Sequence, residues 1–185
     1  MIRIPFTGKE LNLGILYIPI IAFIVVGTTN SANLLDGLDG LLTSVSYVNF
    51  AFYAVLAILS GEAVLGTGCG ALVGACFAFL YYNAFPARMF MGDTGSMFIG
   101  GVVVGAAVLL RQPLVLLLTA FWMMMSSLSD LIQFAYFRAT NGKRFFKMAP
   151  IHHHFELCGL HESKIVVIYT VTTILLSLLA LLGVI

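Results

Sequence analysis

The sequence predicts an all-α fold: a polytopic transmembrane helix bundle of about six spans with its functional loops on the cytoplasmic face. Three observations carry that expectation. Hydrophobic residues make up 61% of the 185 positions and charged residues only 9%, against ~25% charged in ordinary soluble domains. The apolar residues collect into runs of roughly 20, the length needed to cross a hydrocarbon core. The polar residues are confined to stretches between those runs, so positions 1–185 read as a single transmembrane domain with no soluble domain left over.

The elements follow in order. The segment before Leu13 carries Arg3, Pro5, Gly8, Lys9 and Glu10 with no apolar core behind its charges, which does not fit a cleavable signal peptide. Spans are expected at 13–29, 41–60, 63–81, 96–110, 114–137 and 164–185. The third and fourth carry Gly66, Gly70 and Gly74, then Gly101 and Gly105, and small residues at this interval let helices approach closely in lipid. The fifth carries Asp130, a carboxylate expected to pair helices. Cys69, Cys76 and Cys158 form neither a disulfide framework nor a metal-ligand pattern and read as small packing residues.

Short links at Gly61-Glu62 and Arg111-Gln112-Pro113 alternate with longer polar links at 30–40, 82–95 and 138–163, so the long links share one side of the membrane. That side bears Arg88, Arg138, Lys143, Arg144, Lys147 and Lys164, whereas the other bears Arg3, Lys9 and Arg111. Lys and Arg favour the cytoplasmic side, which places the long links there. No basic run points to nucleic acid as a partner.

The long links hold the residues capable of chemistry. In the first, Asp36 and Asp39 are each followed by glycine and spaced to share one face of a helical turn. Helix capping and Asp-Gly turn formation are the plain alternative. In the second, Asp93 sits between Gly92 and Thr94-Gly95-Ser96, with Phe90 nearby as a candidate stacking ring. A hard cation such as Mg²⁺ takes one or two carboxylates plus waters and substrate phosphates, and Asp93 fits that role; it could equally cap the fourth span. In the third, His152, His153 and His154 follow the basic residues Lys143, Arg144 and Lys147. Consecutive histidines on a regular element do not converge on one metal ion. They read better as hydrogen-bond donors to a phosphorylated substrate. Carboxylates, cations and histidines held at one membrane face suit phosphoryl transfer between a soluble donor and a lipid acceptor.

The runs Asn33-Leu34-Leu35-Asp36-Gly37-Leu38-Asp39-Gly40, Phe90-Met91-Gly92-Asp93-Thr94-Gly95-Ser96 and Pro150-Ile151-His152-His153-His154-Phe155-Glu156 resemble three signature loops of the polyprenyl-phosphate N-acetylhexosamine-1-phosphate transferases. The histidine run is similar to that of the branch using a muramoyl-pentapeptide donor. The resemblance implies transfer of phospho-N-acetylmuramoyl-pentapeptide from UDP-N-acetylmuramoyl-pentapeptide to undecaprenyl phosphate, giving lipid I and UMP for peptidoglycan synthesis. It implies Mg²⁺ as cofactor and a multi-pass location in the bacterial plasma membrane.

By the same resemblance, Asp93 is the Mg²⁺ ligand. Asp36 is the essential carboxylate near the ribose and diphosphate, with Asn33 close by. Asp39, Asn83 and Phe90 surround the uracil, and His152 and His153 face the phosphate or sugar end of the donor, with His154 beside them. Family members have about ten spans, so this chain is expected to be a C-terminal portion, inactive without an N-terminal half. The missing part includes an adjacent acidic pair proposed to handle the nucleophile; no Asp-Asp pair occurs in this sequence. A homodimer is also implied. The alternatives are a transferase using a UDP-N-acetylglucosamine donor, or a membrane protein that binds nucleotide-sugar without turnover.

Overall fold

A computed structural model describes residues 2–184 of the chain. Its helices are α1 (Tyr17–Leu35), α2 (Leu41–Leu59), α3 (Ala63–Asn83), α4 (Gly92–Leu109), α5 (Leu116–Thr119), α6 (Phe121–Ala139), α7 (Ile151–Leu157) and α8 (Glu162–Val184). A small antiparallel hairpin, β1 (Ile2–Arg3) with β2 (Glu10–Leu11), precedes them. Five segments, Gly14–Leu35, Leu41–Leu59, Ala63–Asn83, Gly92–Leu109 and Glu162–Val184, are each long and apolar enough to cross a membrane. The chain is therefore a multi-pass membrane protein, as its composition implies. Ile185, the last residue of the sixth expected span, lies outside the described residues.

α2 is the most enclosed span and packs chiefly against α3 and α8, while α1 packs against α4 and α6. Two sets of contacts separate the ends of the bundle. At one end the hairpin clips the α4–α5 link to the end of α8, the Arg3 N–H donating to the Arg111 carbonyl (3.0 Å) and the Phe6 N–H to the Gly183 carbonyl (2.6 Å). All three long links meet at the other end.

Four features depart from the sequence reading. First, α1 continues to Leu35, two turns past its expected stop. Its polar residues do not break the helix because they satisfy themselves on it: Thr29 Oγ1 donates to the Val25 carbonyl and Asn30 Nδ2 to the Val26 carbonyl, at 2.7 and 2.8 Å. Ser31 is buried and bonded to Ser127 of α6. Second, α4 starts at Gly92, so Asp93 lies inside its first turn and neither caps it nor belongs to a loop. Gly92 has φ +67°, a left-handed conformation that glycine adopts at little cost and that turns the chain into the helix.

Third, the expected fifth span is two helices, bent by 81° between Pro113–Thr119 and Phe121–Ala139. The bend is held by side chains on both limbs. Tyr53 of α2 bonds Thr119 of α5, while Trp122 of α6 stacks on Tyr169 of α8 and donates to Thr172. Fourth, only one of the five spaced glycines is a close-contact site. Gly66 packs onto Ile58 and the Ala54 carbonyl of α2, while Gly70, Gly74, Gly101 and Gly105 face open space. The close α1–α4 approach is made by Gly100, where a Cβ would strike Thr29 and Ala32.

Candidate functional site

The extension of α1 carries Asn33 to the N-terminus of α4. There its Nδ2 donates to Asp93 Oδ1 at 3.0 Å and to Ser96 Oγ at 2.9 Å, and Ser96 Oγ donates back to the Asp93 carbonyl. The helix N-terminus also favours a carboxylate in its first turn. One carboxylate oxygen is thereby fixed, and among the described residues no side chain bonds the other.

Asp36 follows α1 as its C-cap and lies close enough to Asp93 to feel its charge. Burial pushes its carboxyl from the usual 3.8 up to about 6, and the neighbouring Asp93 carboxylate adds to the rise. The turn after it separates the two aspartates expected to share a face. Asp39 Oδ2 accepts from the Ala87 N–H at 2.8 Å, while the Asp39 N–H donates to Glu162 Oε1 at the start of α8 (2.6 Å). Asp36 thus faces α4, whereas Asp39 ties the turn to the 84–91 loop and to α8. Gly40 closes the turn at φ +74°, where a side chain would be strained.

Asn83 is buried and has both ends of its amide engaged: Oδ1 accepts from Thr43 at 2.7 Å and Nδ2 donates to the Met89 carbonyl at 2.9 Å. It holds the loop beside Phe90, a residue 76% exposed.

The histidine run forms the short helix α7, and its members diverge. His152 is fully buried, with neither ring nitrogen partnered among the described residues, and its ring and that of His153 lie over Gly37, leaving no room for a Cβ there. Burial, then the charge of His153, lowers the His152 ring to about 3, so it is neutral at physiological pH. The His153 ring lies beside it, tilted by 57° at 4.4 Å between ring centroids, and pairs through Nδ1 with Glu156 at 3.1 Å. His154 turns the other way, its Nδ1 accepting from the Lys147 N–H at 3.1 Å.

The structure therefore brings Asn33, Asp36, Asp93, His152 and His153 around the Asp36–Gly40 turn. Asp39 and Asn83 support the loop that presents Phe90, and His154 supports the basic loop. Several positioning residues escaped the sequence reading. Gln133 Oε1 accepts from the N–H groups of Phe145 and Phe146 (3.1 and 2.9 Å), and Ser129 Oγ accepts from the Ile151 N–H at the start of α7 (3.0 Å). Both are ordinary polar residues inside an apolar run, and only their partners reveal the role. Asp130, expected to pair helices, instead lines a cleft with Arg144.

Among the described residues no three His, Cys, Asp or Glu side chains form a metal cage. The paired carboxylates of Asp36 and Asp93 nevertheless fit Mg²⁺, which takes one or two carboxylates and completes its shell with water and phosphate. The rise of the Asp36 pKa partly through Asp93 records a concentration of negative charge that a cation would relieve.

Comparison with known proteins gives a consistent family. The model of glycosyl transferase family 4 matches residues 1–111, which include every candidate residue from Asn33 to Asp93 and end before the histidine helix. Among similar curated proteins, the phospho-N-acetylmuramoyl-pentapeptide-transferase of Clostridium perfringens (strain 13 / Type A) is 47% identical over 97% of this chain and 56% of its own length. The protein of the same name from Clostridioides difficile (strain 630) is 46% identical over 99% of this chain and 57% of its own. That from Thermodesulfovibrio yellowstonii is 42% identical over 98% and 55%. The chain thus spans about half the length of the curated relatives it matches. With more than half of its residues matched by the family model, the chain belongs to glycosyl transferase family 4.

Proposed function

We propose that this chain supplies the donor- and cation-binding face of an enzyme that transfers phospho-N-acetylmuramoyl-pentapeptide from its UDP-linked donor to undecaprenyl phosphate. The products are lipid I and UMP, and the long loops lie on the cytoplasmic side of the bacterial plasma membrane. The observation that carries the reading is convergence: Asp36, the Asn33-held Asp93 and the His152–His153 pair, drawn from three helices, meet at one turn. The names of the similar curated proteins support the choice of donor.

In this reading Asp93, with Asp36 beside it, would hold Mg²⁺, which when bound would supply charge neutralisation at the donor's diphosphate. Asn33 keeps one Asp93 oxygen in register so that the other stays open. His153, partly exposed, donates to the phosphate or sugar end of the donor, while neutral His152 holds the Asp36 turn from behind. Phe90 stacks on the uracil, and Asp39 and Asn83 keep its loop in place. His154 acts by fixing the basic loop through Lys147. The acceptor's nucleophile is handled by an acidic pair outside this sequence, supplied by an N-terminal half, and the assembly is a homodimer.

The test is lipid product formation from radiolabelled UDP-muramoyl-pentapeptide, undecaprenyl phosphate and Mg²⁺, with this chain joined to or complemented by an N-terminal half. Asp93→Asn should lower the rate at least about a hundredfold, the scale at which loss of a charge-stabilising group acts. Undiminished turnover in that variant would remove the metal assignment. Preferential use of UDP-N-acetylglucosamine would overturn the donor assignment, and binding without turnover would leave only a nucleotide-sugar-binding protein.

A further inference from the structure

Glu162 opens α8, yet its carboxylate serves a residue 123 positions earlier in the chain rather than its own helix. An acidic residue in a first turn commonly reaches back to the N–H groups that its helix leaves free. Here His161 accepts from those groups instead. Its carbonyl takes the Lys164 and Ile165 N–H groups at 2.9 and 3.2 Å, and its ring Nδ1 takes the Ser163 N–H at 3.3 Å. Glu162 Oε1 is left to accept from the Asp39 N–H at 2.6 Å, in the turn between α1 and α2. Asp39 Oδ2 in turn accepts from the Ala87 N–H at 2.8 Å, in the loop that presents Phe90.

α8 meets that loop a second time, where the His161 ring stands edge-on to Phe85 with centroids 5.1 Å apart. Among the described residues the other polar ties of the loop run to the end of α3. Asn83 Nδ2 donates to the Met89 carbonyl, and the Arg88 and Met89 N–H groups donate to the Tyr82 carbonyl. Those bonds fold the loop on itself. Its attachment to the Asp36–Gly40 turn comes through Asp39, and α8 fixes where Asp39 stands. The Asn33–Asp93 pairing lies on the α4 side of the same turn and shares no bond with this relay.

We propose that Glu162 is a positioning residue for the nucleobase end of the donor site. By holding the Asp39 N–H it sets the Asp39 carboxylate and, through Ala87, the loop whose Phe90 ring stacks on the base. The inference rests on the donor reading above and adds the α8 residue on which the base pocket is built. Glu162 acts through Asp39 and touches no substrate atom, so its influence falls on the base and not on the cation end of the site.

The experiment is calorimetric binding of UDP and of inorganic diphosphate to the full chain in detergent with Mg²⁺, together with donor kinetics in the complemented enzyme. Glu162→Ala should weaken UDP about tenfold, the scale of one lost hydrogen bond to a carboxylate, and leave diphosphate unchanged. In turnover it should raise KM for the donor about tenfold while kcat stays within about twofold, the pattern of lost uniform binding. Glu162→Gln keeps a carbonyl acceptor for the Asp39 N–H and should restore most of the UDP affinity. Asp39→Ala should weaken UDP by itself, and adding Glu162→Ala should cost little more, because the relay is already broken. Unchanged UDP affinity in Glu162→Ala, or equal weakening of UDP and diphosphate, would overturn the proposal. So would a fall in kcat at constant KM, the absence of rescue by glutamine, or fully additive losses in the double variant. All of these leave the nucleotide site standing. Failure of the unaltered chain to bind UDP would overturn the donor reading and this inference with it.

Discussion

Asn33 and Asp93 are 60 positions apart in sequence and 3.0 Å apart in space. A hydrogen bond to a carboxylate contributes roughly 1.5–3 kcal/mol. Asn33→Ala should therefore cost about ten- to a hundredfold in kcat/KM in the complemented enzyme, by freeing Asp93 rather than by removing a ligand. Asn33→Asp should be worse, since it adds a third negative charge beside Asp36.

Asp36 sets a pH dependence whose sign follows from its raised pKa of about 6 against an ordinary 3.8. The folded chain holds this proton where the unfolded chain has released it, so stability contributed by Asp36 is present at low pH. It is lost as pH rises through about 6. Cation binding needs the ionised form and runs the opposite way. Mg²⁺ affinity measured by calorimetry should fall about tenfold between pH 7 and pH 5, and Asp36→Asn should flatten the profile. His152, held near 3 by burial and His153, stays neutral across this range and contributes nothing to it.

At the scale of elements, α7 is too short to hold itself in place in water, and its orientation comes from neighbours. Ser129 takes its first N–H, Lys147 Nζ donates to the Leu157 carbonyl at its end, and Gln133 pins the preceding loop. Gln133→Ala would leave two N–H groups of that loop without their partner, at about 1–3 kcal/mol for each group that water does not reach. Limited proteolysis should then cut the 140–149 loop several-fold faster, with the spans intact. The bend between α5 and α6 is similarly external in origin, fixed by Tyr53, Tyr169 and Thr172 on other helices.

For the molecule as a whole, the arrangement predicts sidedness. Cys158 is exposed beside the histidine helix, while Cys69 and Cys76 are buried in α3. A membrane-impermeant maleimide should label Cys158 in inside-out vesicles and not in intact cells, and Cys158→Ser should remove the label. Labelling from outside would reverse the orientation.

The sequence alone determined that this is a multi-pass helical membrane protein and which links hold its candidate Asp, Gly and His residues. Hydrophobic run length and the clustering of Asp, Gly and His are local properties, readable without a fold. It could not show that α1 runs on to Leu35, because whether Thr29 and Asn30 end a helix depends on whether their side chains find carbonyls on it. Nor could it divide the candidate residues by role. Asp36 and Asp39 look alike in the chain, as do His152, His153 and His154, yet one aspartate meets Asp93 while the other braces a loop, and the three rings point to different partners. Tertiary packing decided those assignments, since burial and hydrogen-bond partners exist only once α1, α4, α6, α7 and α8 are brought together.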